Sequence, residues 1–542
     1  MKKLFYLTLL LLSSLASFAN NVQITNLSIV NNGPGTIQVK FDVSWDNSWR
    51  TNVGPANYDG VWVFFKYKQP GGDWTHLNLT GINNIVPFNF DVFQNAGSNK
   101  VGAMIYRENT NLGMGTVTAT NVYLGAINNL PYDIDVKGFA IEMVYVPAPT
   151  GSRAFFGDGN GNAESLNALH YADNIATNNA VLPISCDANG FDDNELEADG
   201  IYVYSNDTIQ TTNPIGALEP FPTMKALWCM KYEINQAAYR DFLNTLDSMQ
   251  QVNRTGYLPS SSAGTGALIS PTGSGRNYIE IISPATFNNP AVYGCDANNN
   301  NIYNEAGDGE WVACNYLSWV DVAAYLDWSG LAPMSELQYE RMCRGNSSAG
   351  ANAAVLGEYA WGTNTIFGSP YTLTSGATAA EVASNASLSM GNAAYTITAT
   401  SGPMRSGIFA TATSNRINSG ATYYGIMEMS GNITEYCISL GQQAGRSCHY
   451  IPNGNGVISA LGNAQLSIGG AGFWPGMEGN ANTGLTTTCS GSCEVTAAAG
   501  IRFRGGSIGD ALSSLSISDR GQVFTPTARA SNRGGRGVLY IR

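Results

Sequence analysis

Three runs of this sequence alternate oxygen-bearing side chains with glycine, alanine or one another, as a loop does when it wraps a hard cation. They are Asp158-Gly159-Asn160-Gly161-Asn162, Asp187-Ala188-Asn189-Gly190-Phe191-Asp192-Asp193 and Asp296-Ala297-Asn298-Asn299-Asn300-Asn301-Ile302. Carboxylates and amides are the ligands calcium selects. None of the runs completes a helix-loop-helix calcium pattern, and in the third Gly307 stands where the closing bidentate glutamate belongs. Polar turns have the same composition without any ion. Soft or redox chemistry must come from nine cysteines and three histidines. Cys489 and Cys493 close a Ser-Gly-Ser loop and read as a local disulfide, while Cys437 and Cys448 are candidates for a second bridge. Spacing leaves the connectivity open, and an odd count leaves at least one thiol over. The histidines, His76, His170 and His449, are widely scattered. His449 adjoins Cys448, but neighbours in a strand point to opposite faces, against a nucleophile and base. His76 reads as a surface residue near a turn.

The chain opens with Met1-Lys2-Lys3, an apolar block from Leu4 to Leu12, and small residues Ser17 and Ala19. That is the pattern of a secretory signal peptide over 1–19, cut after Ala19. The expectation is an exported protein, in the periplasm, at the cell surface or outside the cell. No cysteine follows the block to carry a lipid, and no later apolar run is long enough to span a bilayer. At 542 residues two or more domains are expected. Lys and Arg total 27 against 40 for Asp and Glu, a net charge of −13. This balance argues against a nucleic-acid or anionic-membrane partner.

The elements follow from periodicity. Ile37, Val39, Phe41, Val43 and Trp45 alternate along one strand face. Val22–Val30, Val61–Tyr67, Val101–Arg107 and Val117–Leu124 read as further strands between Gly, Pro and Asn turns. Residues 20–137 are therefore expected to form an all-β sandwich, a scaffold or docking module. Beyond it come helices. Asn235 caps one with Ala238, Phe242 and Leu246 on its face; Ser318 and Asp321 open a second with the stripe Trp319, Val322 and Leu326, stopped at Gly330; Ser335 and Gln338 open a third.

Gly425-Ile426-Met427-Glu428-Met429-Ser430-Gly431-Asn432-Ile433-Thr434-Glu435-Tyr436, Arg504-Gly505-Gly506-Ser507 and Gly537-Val538-Leu539-Tyr540-Ile541-Arg542 occur in that order. They resemble the Gly-Leu-Tyr-Asp-Met-x-Gly-Asn-x-x-Glu-Trp, Arg-Gly-Gly-Ser and Gly-Phe-Arg motifs of the formylglycine-generating enzyme, or sulfatase-modifying factor, family. Upstream, Phe139–Pro147 resembles the family's opening strand and Met230–Asn235 its Tyr-Glu-Val-Thr-Asn helix entry. Cys314–Trp328, Pro333–Glu340 and Tyr359-Ala360-Trp361-Gly362 resemble its later helices and its Tyr-Pro-Trp-Gly turn. The resemblance covers 138–542, with insertions near 158–226 and 252–310. It implies an α+β, C-type-lectin-like fold with large loop insertions.

In that family two cysteines, three and eight positions after the serine, hold copper and oxidise a substrate cysteine to formylglycine. Here those positions are Asp510 and Leu515, and no cysteine follows Cys493, so copper is not expected. A related branch with histidine-bound iron lacks its ligands here too. The resemblance does imply a calcium frame at Glu428, Gly431, Ile433 and Glu435. A second family calcium site begins at an asparagine matched by Asn392, but its aspartate is missing. The expected function is an exported, non-catalytic homologue that binds a protein or glycan partner in envelope or surface assembly. Two alternatives stand beside it. One is an enzyme of altered chemistry using Asp510, Arg504, Ser507 and Glu435; the other is a carbohydrate-binding surface protein stacking sugar on tryptophans such as Trp474.

Overall fold

A computed structural model describes residues 21–31, 37–96, 100–109, 113–127, 130–148, 225–346, 354–398, 401–466, 474–477, 492–521 and 528–541, less a few isolated positions, and the backbone of short strands between 154 and 203. The leader at 1–19, Asp158–Asn162, most of the 187–193 run, Cys489, His449 and the side chain of His170 lie outside the described residues.

Eight strands come first: β1 (Gln23–Asn31), β2 (Ile37–Ser48), β3 (Asp59–Lys68), β4 (Thr75–His76), β5 (Phe90–Phe93), β6 (Ala103–Arg107), β7 (Gly115–Ala126) and β8 (Asp135–Val146). The antiparallel sheet β1-β2-β7 packs in sandwich-like fashion over β3, β5, β6 and the start of β8. The alternation read in β2 is the reason, since Val39, Phe41, Val43 and Trp45 are wholly buried in the core between the sheets. After the short strands β9 to β14 (between Ala154 and Val203) come β15 (Leu227–Met230), β16 (Ile279–Ser283), β17 (Val292–Cys295), β18 (Leu373–Thr374), β19 (Val382–Ala383), β20 (Glu435–Ile438), β21 (Ile501–Arg504) and β22 (Val538–Tyr540).

The expected boundary at 137/138 falls inside β8 and does not separate two bodies. A seven-stranded sheet runs β22-β15-β8-β3-β6-β5, with β4 beside β3, so the last strand of the chain joins the first half through β15 and β8. β3 shows how one strand serves both halves. Val61, Val63 and Phe65 enter the core under β1-β2-β7, whereas Trp62 and Phe64 enter the larger core of the second half. Side chains alternate across a strand, and a strand covered on both faces reads as a continuous apolar run, as Val61–Phe65 does.

His76 is a correction of the same origin. It is only 4% exposed, wedged against Gly456, with Nδ1 3.0 Å from Lys66 Nζ and Nε2 2.9 Å from the Val101 carbonyl. Lys66 is buried too, and its ammonium also donates to the carbonyls of Trp328 and Gly456. All three ammonium protons therefore have acceptors, which is what a buried lysine requires.

The helices start where expected, and the second stops at Gly330 as expected, but the first ends at Leu243, short of Leu246. α1 (Gln236–Leu243) is capped by Asn235; α2 (Ser248–Arg254) follows; α3 (Trp319–Ser329) has the Ser318/Asp321 capping box and ends on Gly330 at φ 75°; α4 (Glu336–Arg344) has the Ser335/Gln338 box. Trp319, Val322 and Leu326 are buried. The architecture is mixed, with many antiparallel sheets and few helices. No helix among the described residues is long and apolar enough to cross a membrane.

Candidate functional site

The loop Gly425–Thr434 runs into β20, and its path needs left-handed backbone at Glu428 (φ 56°) and Asn432 (φ 66°) as well as at its glycines. Gly431 has two reasons to be glycine: φ is 89°, and a Cβ there would lie 2.5 Å from the Ala394 carbonyl. The loop is pinned from three sides. Gly431 N–H donates to the Gly505 carbonyl, Asn432 N–H to Ala394, and Met427 N–H to Lys231. Glu233, just before α1, accepts from Asn432 Nδ2 on one oxygen and from Ile433 N–H on the other. Sequence reading took Glu233 only as part of a helix entry, because its partners lie 199 and 200 residues away.

Glu428 in this loop and Glu435 at the start of β20 are both buried. Glu435 Oε1 takes two donors of Arg536, Nε at 2.9 Å and the terminal nitrogen at 2.8 Å. Arg536 also donates to the Met427, Met230 and Lys231 carbonyls. Glu428 Oε1 accepts from Gly407 N–H at 2.8 Å. The second oxygen of each carboxylate is buried without a hydrogen-bond partner. Burial pushes both carboxyls up to about 7, against the pull of Arg536. Glu233 is also raised, by burial and then by the charges of Glu435 and Glu428.

The four residues proposed for altered catalysis do not converge. The register of β20 and β21 sets Glu435 opposite Arg504, yet their side chains pair elsewhere. Arg504 is buried, bonded to Glu340, 3.6 Å from Glu336 and over the Tyr339 ring at 5.1 Å. Arg520 closes the same cluster, with Nε 2.7 Å from Glu336 Oε1. Ser507 and Asp510 bond to each other on the turn after β21. Leu515, at the second cysteine position of the family pattern, is fully buried, and its carbonyl accepts from Ser430 Oγ.

The thiols are equally enclosed. Cys229, Cys295, Cys314, Cys343, Cys437 and Cys448 are free and buried, so the expected Cys437–Cys448 bridge is absent. Both thiols are buried in the main core, and Cys448 Sγ donates to the Ala444 carbonyl. Burial pushes the Cys229 thiol up to about 12 and those of Cys343 and Cys437 further from the reactive thiolate. Cys493 is disulfide-bonded, to a partner outside the described residues. Trp474, considered as a sugar platform, is wholly buried, with its indole N–H on the Pro452 carbonyl.

The candidate cation loops differ in what they leave open. In the 296–302 run Asp296 accepts from the N–H groups of Asn300 and Asn301, and Asn298 and Asn300 accept from Asn300 and Ile302. Its oxygens thus close turns. Asn392, the start of the second family site, is spent in the same way: its amide bonds Tyr371, Ser387 and Asn418. Among the described residues no group of three His, Cys, Asp or Glu side chains is arranged to hold a metal. Glu428 is different. Its residue borders a void of about 10 Å³ lined by Asn392, Ser430 and Asn432 together with the apolar Met404, Ile408 and Phe409, close to the room one water needs. At Glu435 the neutralising charge is already Arg536.

No family model matches this chain, and no curated protein matches it.

Proposed function

We propose that this chain is an exported, non-catalytic binding or assembly scaffold on a sulfatase-modifying-factor-like, C-type-lectin-like frame. The observation that carries this reading is the fate of the charged motif residues. Arg504 and Glu435, which an active site would aim at substrate, are fully buried in ion pairs with Glu340 and Arg536. Breaking such a pair leaves an uncompensated buried charge, so these residues serve the frame rather than a reaction. The mixed antiparallel architecture and the pinned Gly425–Thr434 loop support the resemblance in fold. Calcium belongs to the same reading: Glu428, with the carbonyls of Gly431 and Ile433, would hold it, and it would tie the loop down by supplying positive charge to an acidic cluster.

The two halves are fused through β8, which pairs with β3 of the first half and β15 of the second in one sheet. The scaffold's partner is a protein or glycan met after export. The test is mass spectrometry of a cysteine-containing sulfatase-motif peptide incubated with copper-loaded protein and oxygen, beside an active control enzyme. No conversion is expected. Loss of sulfur to give the aldehyde would overturn the non-catalytic reading.

A further inference from the structure

Asp59, Glu142 and Lys231 meet on one face of the large sheet. β3 and β8 pair Asp59 with Val144 and Val61 with Glu142, and Lys231 follows β15 opposite Glu142, to whose carbonyl its N–H donates. Residues paired across strands share a face, so the three side chains leave the sheet on the same side. None is more than 3% exposed. Lys231 Nζ lies 3.0 Å from Glu142 Oε2, 3.3 Å from Asp59 Oδ2 and 4.9 Å from the centre of the Trp49 ring.

The two carboxyls are not equivalent. Asp59 Oδ1 accepts from Ser48 Oγ at 2.8 Å and from Trp49 N–H at 3.0 Å, which leaves Oδ2 to the lysine. Two donors on one oxygen are what stabilises the oxyanion when a nucleophile adds to a carboxyl carbon. Glu142 Oε1 has no hydrogen-bond partner among the described residues, so this carboxyl lacks such support and is left to carry protons. Burial raises the Asp59 carboxyl and lifts that of Glu142 to about 7. Burial also works against the charge on Lys231, but Glu142, Tyr232 and Asp59 outweigh it and hold the ammonium charged. The amine is freed when the ammonium passes a proton to Glu142. Exchanging opposite charges for neutral groups costs least where water is excluded.

We propose that Lys231 and Asp59 join in an intramolecular amide, a lysine-aspartate isopeptide bond, with Glu142 as the proton carrier. Nζ adds to Cγ of Asp59; the Nζ–Cγ bond forms and the Cγ–Oδ2 bond breaks. Two of the three ammonium protons pass through Glu142 to Oδ2, which leaves as water, and the third stays on the amide nitrogen. Glu142 ends as it began, nothing is oxidised or reduced, and a buried pair of opposite charges becomes one neutral amide. Oδ1 becomes the amide oxygen and keeps its two donors. Only the folded sheet brings the groups together, so newly folded chain carries the ion pair and aged chain the amide. The bond ties β3 to the residue after β15 and is independent of the scaffold reading.

The test is peptide mapping by mass spectrometry of the full chain, digested after prolonged incubation at neutral pH. The expected product is one species that holds the peptides of Asp59 and Lys231, is lighter than their sum by one water, and yields fragments of both. Glu142→Gln, which keeps the shape of the side chain, should slow its appearance about a hundredfold or more, the usual share of a general acid–base group. If Glu142→Gln does not fold, the parent map decides by itself. Unlinked Asp59 and Lys231 peptides from the aged, folded parent overturn the proposal. A link from Lys231 to Glu142 instead of Asp59, or equal linking rates in the parent and folded Glu142→Gln, overturns it as well.

Discussion

Phe64 and Phe65 are sequence neighbours in β3 that face opposite cores, and each is wholly buried. Truncating either to alanine removes the same atoms from one core or the other, at a cost of ~3–5 kcal/mol each. What differs is how the cost appears on heating. If the continuous sheet makes the chain one cooperative unit of roughly 520 residues, the unfolding entropy is ~1.1 kcal/mol/K, and a loss of ~4 kcal/mol lowers the midpoint by about 4 °C for either variant. If the first-half strands, roughly 115 residues, melted independently, their entropy would be ~0.24 kcal/mol/K, and Phe65→Ala would lower their own midpoint by about 16 °C while leaving the rest in place. Differential scanning calorimetry of Phe64→Ala, Phe65→Ala and the parent separates the cases. One transition, displaced by a similar few degrees in both variants, is expected. Two transitions, of which Phe65→Ala moves only the smaller, would refute the claim that β3 and β8 weld the halves.

Further outcomes follow from the buried charges. Lys231→Met leaves Asp59 and Glu142 buried without their shared cation and should cost ~3–5 kcal/mol in urea unfolding; a near-neutral effect would show that water reaches both carboxylates. Burial holds the Glu142 carboxyl up at about 7 from an ordinary 4.5, so the native state keeps a proton that the unfolded chain loses first. Its contribution is therefore full at and below about pH 4.5 and falls by ~3 kcal/mol as pH rises to 7. Glu142→Gln should flatten the stability profile in that window, and an unchanged slope would place the titration elsewhere. The six free buried thiols should stay unreactive toward a thiol-specific reagent until denaturant is added; fast labelling of the native chain would contradict their burial. Calcium in excess of chelator should raise the thermal midpoint of the parent but not of Glu428→Gln, by linkage to the folded state. An equal response in the two would remove Glu428 as a ligand.

Local rules were legible because their partners are local. The caps Asn235, Ser318 and Ser335 act on N–H groups three residues on, and the β2 alternation needs only its own pleat. Lys66 and His76 show where that reach ends. Lys66 finds its acceptors on Trp328 and Gly456, 262 and 390 residues away, so nothing near His76 marks it as interior. Trp474 is the reverse case: a tryptophan between Phe473 and Pro475 has the same sequence whether it faces sugar or core, and the Pro452 carbonyl beneath its N–H decides.

The boundary in β8 carries the strongest lesson for function. Phe139–Val146 was readable as the first strand of the second half, and residues from Val22 onward as a sandwich, because each has its own pattern. That β8 is also a strand of the sandwich's sheet depends on Gly60 meeting Met143 and Phe64 meeting Phe139, pairings that no pattern within either segment records. Lys231 then completes the join, because it comes from the second half and neutralises Asp59 of the first together with Glu142 of the shared strand β8. A docking module on a tether could be removed without harm to its neighbour. A first half that supplies β3 of the shared sheet, Phe64 to the larger core and Asp59 to the ion pair with Lys231 cannot, and deleting residues 20–137 should yield an aggregating fragment rather than a folded second half.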